Sequence, residues 1–152
     1  MTIVIIDGQG GRVGALLIEA LRAAGITTPH RLLCVGSNAL ATAAMLRAGA
    51  DQGATGENPV RIVCREADVI CGPIGILMAD AMMGEITPEM AVAVGSSRAH
   101  RVLLPMEQCG TSVAGVESAP LSKLVEMAVQ QVKTCIGMPQ SQSTERKHRG
   151  GA

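Results

Sequence analysis

Seven residues near the amino end carry the clearest chemical pattern in the chain: Gly8-Gln9-Gly10-Gly11-Arg12-Val13-Gly14. Gly8, Gly11 and Gly14 satisfy a GxxGxxG spacing, and Gly8 with Gly10 a GxG spacing. Glycine answers three physical needs in such a loop. One position makes the tight turn, one lets the backbone approach a diphosphate, and one lets a helix pack closely on a strand. A helix that begins at the end of the loop then offers free N–H groups and a partial positive charge to a phosphate. Arg12 adds a charged donor. The expected chemistry is recognition of a nucleotide or another phosphate-bearing metabolite, with a merely tight structural turn as the alternative.

Three further features shape that expectation. Asp7 puts a carboxylate just before a loop suited to anions; it could pair with Arg12, brace the loop by accepting from its amides, or help hold Mg2+, and the brace is the simplest of these. A dinucleotide site expects Asp or Glu at the end of the second strand, where this chain has Gly36, Ser37 and Asn38. Neutral groups there suit a ribose 2'-phosphate, so NADP(H) leads NAD(H) as the expected cofactor, with Ser37 and Asn38 as contacts. Gly72, Pro73 and Gly75 form a second glycine-rich turn after a strand and provide a further contact. For chemistry proper, Asp80, Glu107 and Cys109 are the candidates near this edge, although no basic residue beside Cys109 activates its thiol. His30 and His100 precede strands and belong at the opposite edge.

These residues need a scaffold, and the hydrophobic pattern describes one. Ile3 to Ile6 are consecutively apolar and β-branched, as in a parallel strand buried on both faces. From Arg12 onward, Val13, Leu16, Leu17, Ala20, Leu21 and Ala24 repeat with helical period, and Gly25 stops the helix. Arg31 to Val35 reads as a second strand, with Ser37 or Asn38 capping a helix from Ala39 to Ala48. Ala50 to Gly56 supports at most a stub of strand, and Asn58-Pro59 reads as a cap and first helical residue. Asp68 to Cys71 is a strand, Ile76 to Met83 a helix, and Thr87-Pro88 the start of another. Val102 to Leu104 is a strand, Thr111 to Val116 an expected edge strand, and Leu121 to Ile136 a long amphipathic helix.

Strands alternating with helices through short loops indicate an α/β fold: a single-domain, three-layer Rossmann-like sandwich with a mostly parallel sheet over residues 1–137. Residues 138–152 are polar and aperiodic, and are expected to be a disordered, mildly basic tail.

Composition narrows the partners. The 152 residues contain 47% hydrophobic and 17% charged side chains, enough for a substantial core. Phe, Tyr and Trp are all absent, so aliphatic residues and nine Met must fill that core. Missing aromatics also remove the stacking platforms of single-stranded nucleic-acid binders, and 13 basic against 13 acidic side chains leave no net pull toward polyanions. No nucleic-acid or membrane partner is expected. The five cysteines have no zinc-like spacing, and no metal site is expected. Without a secretory leader pattern or a membrane-length apolar run, the expected location is the cytoplasm. Met78, Met82, Met83 and Met90 fill the core or form a homodimer surface.

Three strings, IVIIDGQGGRVGALLIEALR, GSNALATAAMLRAGADQGATGEN and ADVICGPIGILMADAMMGEITPEMA, resemble a family of small bacterial proteins known as a domain of unknown function. The resemblance runs from about Thr2 to Val132 and implies a Rossmann-like fold with no established activity. A shorter similarity, GxGGRxG, matches NADP-dependent dihydrodipicolinate reductases at Gly8, Gly10, Gly11, Arg12 and Gly14, but stops at the loop. Two functions remain open: nucleotide binding in the service of an enzyme, or a metabolite sensor or interaction module acting as an oligomer.

Overall fold

Alternate side chains of the first strand leave the sheet in opposite directions, which explains its unbroken apolar run. In the computed structural model, which describes residues 1–106 and 110–139, β1 spans Thr2–Asp7. Ile3 and Ile5 enter one hydrophobic cluster while Val4 and Ile6 enter another, all four fully buried. A strand covered on both faces must be central. The sheet is accordingly five-stranded and wholly parallel, in the order β3-β2-β1-β4-β5, with β2 at Arg31–Gly36, β3 at Gln52–Thr55, β4 at Val69–Pro73 and β5 at His100–Leu104.

Five helices among the described residues cover it. On the face of Ile3 and Ile5 lie α1 (Arg12–Ala23), which supplies Leu17, Ile18 and Leu21, and α5 (Leu121–Cys135), which supplies Val125, Ala128, Val129 and Val132. Met45 of α2 (Ala39–Arg47) joins them. The other face is covered by α3 (Glu57–Glu66) through Val60 and Cys64, and by α4 (Pro88–Ser96) through Met90, Ala91 and Val94. The fold is thus the α/β Rossmann-like sandwich expected from the pattern. Each large aliphatic side chain buried there contributes about 1.5–3 kcal/mol of transfer free energy. At the edge away from the glycine loop, Arg22 ties α1 to its surroundings, donating to the carbonyls of Gly49 and Ile26 and pairing with Asp51 at 2.7 Å. No helix among the described residues is long and apolar enough to cross a membrane.

Three expectations need correction. Residues 76–83 are not a helix: a 3-10 turn covers Ile74–Leu77, and Asp80, Met82 and Met83 then adopt positive φ. The segment closes on itself instead, with the Asp80 amide donating to the Ile86 carbonyl and the Ile86 amide to that of Ala81, anchored by a fully buried Ile86. Residues 111–116 form no strand. The stub at 50–56 is a four-residue edge strand, bonded to β2 but exposed at every position. Helix α3 starts two residues earlier than Pro59, with Gly56 as its cap at φ 101°. Pro59 is tolerated there because first-turn amides have no helical acceptor to lose. Residues 107–109, including Glu107 and Cys109, and the tail from residue 140 lie outside the described residues.

Cys34, Cys64 and Cys71 are buried in the two cores, and burial pushes the thiols of Cys34 and Cys64 up to about 11 and that of Cys71 to about 12. Only the thiolate reacts. At pH 8 these three residues will therefore remain unmodified by a thiol reagent in the native protein and become modified in denaturant, as read by peptide mass spectrometry. Labelling of Cys71 in the native state would mean that this core opens readily.

Candidate functional site

Ligands in an open parallel sheet bind at the carboxyl ends of its strands, where the chain order reverses. Here that point lies between β1 and β4, the two strands from which the chain departs in opposite directions. A cavity of about 360 Å³ opens there, lined on one side by Asp7 and the Gly8–Val13 loop and on the other by Pro73, Met82, Met83, Met106 and Leu121. A cavity of about 620 Å³ lies between α3 and α4, and two more, of about 370 and 620 Å³, lie beside α5 past Ile74 and Pro105, where they touch neither the glycine loop nor Asp7. Position at the switch point, not size, singles out the smaller one.

Asp7 ends β1 and is 3% exposed. Its Oδ1 accepts from the Gly8 amide at 2.8 Å and its Oδ2 from the Gly14 amide at 2.7 Å, with the Val13 amide also bonded to it. Both oxygens are therefore committed to the loop and the first turn of α1. Asp7 is a brace; it forms no ion pair with Arg12. Burial raises its pKa above the usual carboxylate value, against the opposing pull of the Gly14, Gly8 and Val13 amides, and the charge of Glu85 adds to the rise.

Each glycine of the loop has its own constraint. A Cβ on Gly8 would meet Ser37 Oγ at 2.5 Å and Met82 Sδ at 2.6 Å, while one on Gly14 would strike Met45. Gly11 sits at φ 70°, and a Cβ there would come within 2.7 Å of the Ala41 backbone, so it is the contact point between loop and α2. Gly10 has open space around it. The amides of Gly10 and Arg12, and the exposed Arg12 guanidinium, have no partner among the described residues. These are the donors left facing outward after Asp7 has taken the inner ones.

The end of β2 holds a residue that the chain pattern does not announce. Glu85, from the closed segment between β4 and α4, reaches back so that its Oε1 accepts from the Gln9 amide at 3.0 Å, Ser37 Oγ at 2.7 Å and Asn38 Nδ2 at 2.6 Å. Partial burial disfavours its charge, but the bonds from Asn38, Ser37 and Gln9 outweigh this and hold its pKa below the usual value. Asn38 also caps α2, accepting from the Ala41 amide, and donates to the Gln9 carbonyl. Ser37 and Asn38 thus meet the glycine loop through Glu85. Gly72 and Pro73 are in β4 itself and Gly75 in the 3-10 turn; of the three, Pro73 lines the cavity, while Gly72 packs against the Ile6 carbonyl. Asp80 is exposed. His30 and His100 lie at the amino ends of β2 and β5, and His30 contacts the Met1 amine. Among the described residues there is no cluster of groups able to hold a metal ion.

The chain belongs to a family described as Domain of unknown function (DUF3842), whose model matches residues 2–137. No curated protein sequence matches it. Among solved structures, it is similar to a dodecameric FMN-dependent UbiX-like decarboxylase from Escherichia coli O157:H7, with 14% identity and a TM-score of 0.45 over 92% of this chain and 96% of that one. At that identity and score the likeness supports no statement about ligand or activity.

Removing the brace should loosen the loop. Asp7→Ala leaves the buried Gly8 and Gly14 amides without their acceptor, a loss of about 1–3 kcal/mol per unsatisfied donor, or about 2–4 °C in Tm for each kcal/mol. The pH dependence has a definite sign. Because the folded-state pKa of Asp7 lies above the unfolded value, its contribution is complete below the unfolded pKa and is lost as pH rises through the folded one. Urea unfolding of the wild type will show a stability margin over Asp7→Asn that narrows with rising pH. A margin that widens would mean that the amide bonds outweigh burial.

Proposed function

We propose that this member of the DUF3842 family binds a nucleotide or related phosphate-bearing metabolite in the crevice between β1 and β4, with NADP(H) and NAD(H) as the first candidates. One observation carries the reading: the Gly10 and Arg12 amides and the Arg12 guanidinium, without partners among the described residues, lie together at the mouth of a cavity at the switch point. A phosphate bound there would receive backbone donors at a helix start and a charge-assisted bond from Arg12. Met82, Met83 and Met106 offer an adaptable apolar wall for the rest of the ligand.

A second reading, a metabolite sensor or interaction module acting as an oligomer, is supported by Met83. Its side chain is 97% exposed at the rim of the same cavity. A second copy of the chain packed over that rim would bury it. Both readings share the same ligand step, and Asp7, with both oxygens on the loop, serves that step as a brace.

A thermal-shift panel of NAD(H), NADP(H), ATP, FMN and CoA tests the binding directly. At one hundred times Kd, a ligand stabilises by about 2.7 kcal/mol, which corresponds to about 5–10 °C at this chain length. Reduced nicotinamide fluorescence can be titrated against almost no protein background, since Trp and Tyr are absent. Arg12→Ala should weaken binding by about 10- to 100-fold, the range for a hydrogen bond to a charged group, with Tm unchanged in the absence of ligand. Gly10→Asp, which has room for its side chain, should weaken it further. No shift with any compound in the panel removes the reading.

A further inference from the structure

Glu85 is fastened by one oxygen only. Three donors from two separate elements converge on Oε1, from the glycine loop through Gln9 and from the end of β2 through Ser37 and Asn38. Oε2 has no partner among the described residues. The segment that carries it is held in a demanding conformation, with Asp80, Met82, Met83 and Gly84 all at positive φ. Positive φ is uncommon for residues with side chains and persists only where the surrounding structure imposes it. This backbone brings Met82 over Gly8 and directs the Glu85 carboxylate to the tip of β2, where it also touches the loop at the Gln9 amide.

We infer that Glu85 selects the ligand: its free Oε2 accepts a hydrogen bond from an unmodified ribose hydroxyl and repels a ribose 2'-phosphate. This rests on the reading of the crevice as a nucleotide site. The end of β2 is where the ribose next to a loop-bound phosphate comes to lie, and a fixed carboxylate is the acceptor for a neutral diol. Like charges placed together at a binding site repel, so the same carboxylate discriminates against an added phosphate. The preference expected from the neutral residues Gly36, Ser37 and Asn38 is thereby inverted. Ser37 and Asn38 do not hold a 2'-phosphate; they orient the acid that excludes it.

The test uses NADH and NADPH titrated by fluorescence, with ADP-ribose as a competitor that lacks nicotinamide. Wild-type protein is expected to bind NADH at least tenfold more tightly than NADPH and to release it to ADP-ribose. Glu85→Gln keeps a side-chain oxygen for Gln9, Ser37 and Asn38 while losing the charge, and should reduce the ratio by about tenfold or more, mainly by improving NADPH. Glu85→Ala, checked by Tm for an intact fold, should abolish the preference. Equal or tighter binding of NADPH by the wild type, or a ratio unmoved by Glu85→Gln, overturns the role of Glu85 while leaving the crevice as a nucleotide site. Failure of NADH, NADPH and ADP-ribose all to bind overturns the Glu85 assignment whatever else the crevice accepts, and the wider reading then stands or falls on ATP, FMN and CoA.

Discussion

A carboxylate buried against backbone amides is the constraint from which this edge of the molecule is built. Asp7 is almost wholly removed from water, and an ion so placed persists only if the groups around it replace hydration. The amides of Gly8, Val13 and Gly14 do so in part, burial still raising the Asp7 pKa, and their bonds fix the turn and the direction in which α1 leaves the sheet. Gly14 must then lie close to Asp7 and Met45, and Gly11 against the backbone of Ala41. The glycine spacing follows as much from this brace as from any ligand. What remains for a ligand is the outer layer of donors, at Gly10 and Arg12.

Glu85 repeats the same solution a short distance away. Among the described residues neither acid forms an ion pair with a Lys or Arg; each is stabilised by dipoles, from amides, a hydroxyl and a carboxamide. Dipolar donors fixed by the fold can stabilise charge without the reorganisation that a flexible cation would need. The difference between the two lies in what is left over. Asp7 has both oxygens bonded, whereas Glu85 Oε2 has no partner among the described residues, and on that difference rests the ligand role inferred for Glu85.

Much of this edge was legible in the chain. The β-branched run of Ile3 to Ile6, the glycine loop and the helical period after Arg12 are local features, and each appears where its pattern places it. A cap for α2 at Ser37 or Asn38, which the structure assigns to Asn38, and the start of α4 at Thr87-Pro88 were legible for the same reason, because capping involves residues only three apart. The segment after β4 was not. Apolar residues from Ile76 to Met83 have helical spacing, but the buried Ile86 and the hydrogen bonds of Glu85 outweigh local propensity, which is a weak preference that tertiary contacts override. Nothing near Glu85 in the chain points to Ser37, 48 residues away.

The sequence by itself therefore determined most of the strands and helices, the central place of β1 and the glycine-rich turn between β1 and α1. Those follow from side-chain period, turn chemistry and the need to bury apolar faces, all of which act within a few residues. Only the tertiary structure decided what the loop's donors face. It assigned Asp7 to the inner amides, left Gly10 and Arg12 without a partner among the described residues, and carried an acid from the β4–α4 segment to the end of β2. A hydrogen bond depends on distance in space and not on distance along the chain, so the acid that the second strand lacks could arrive from elsewhere.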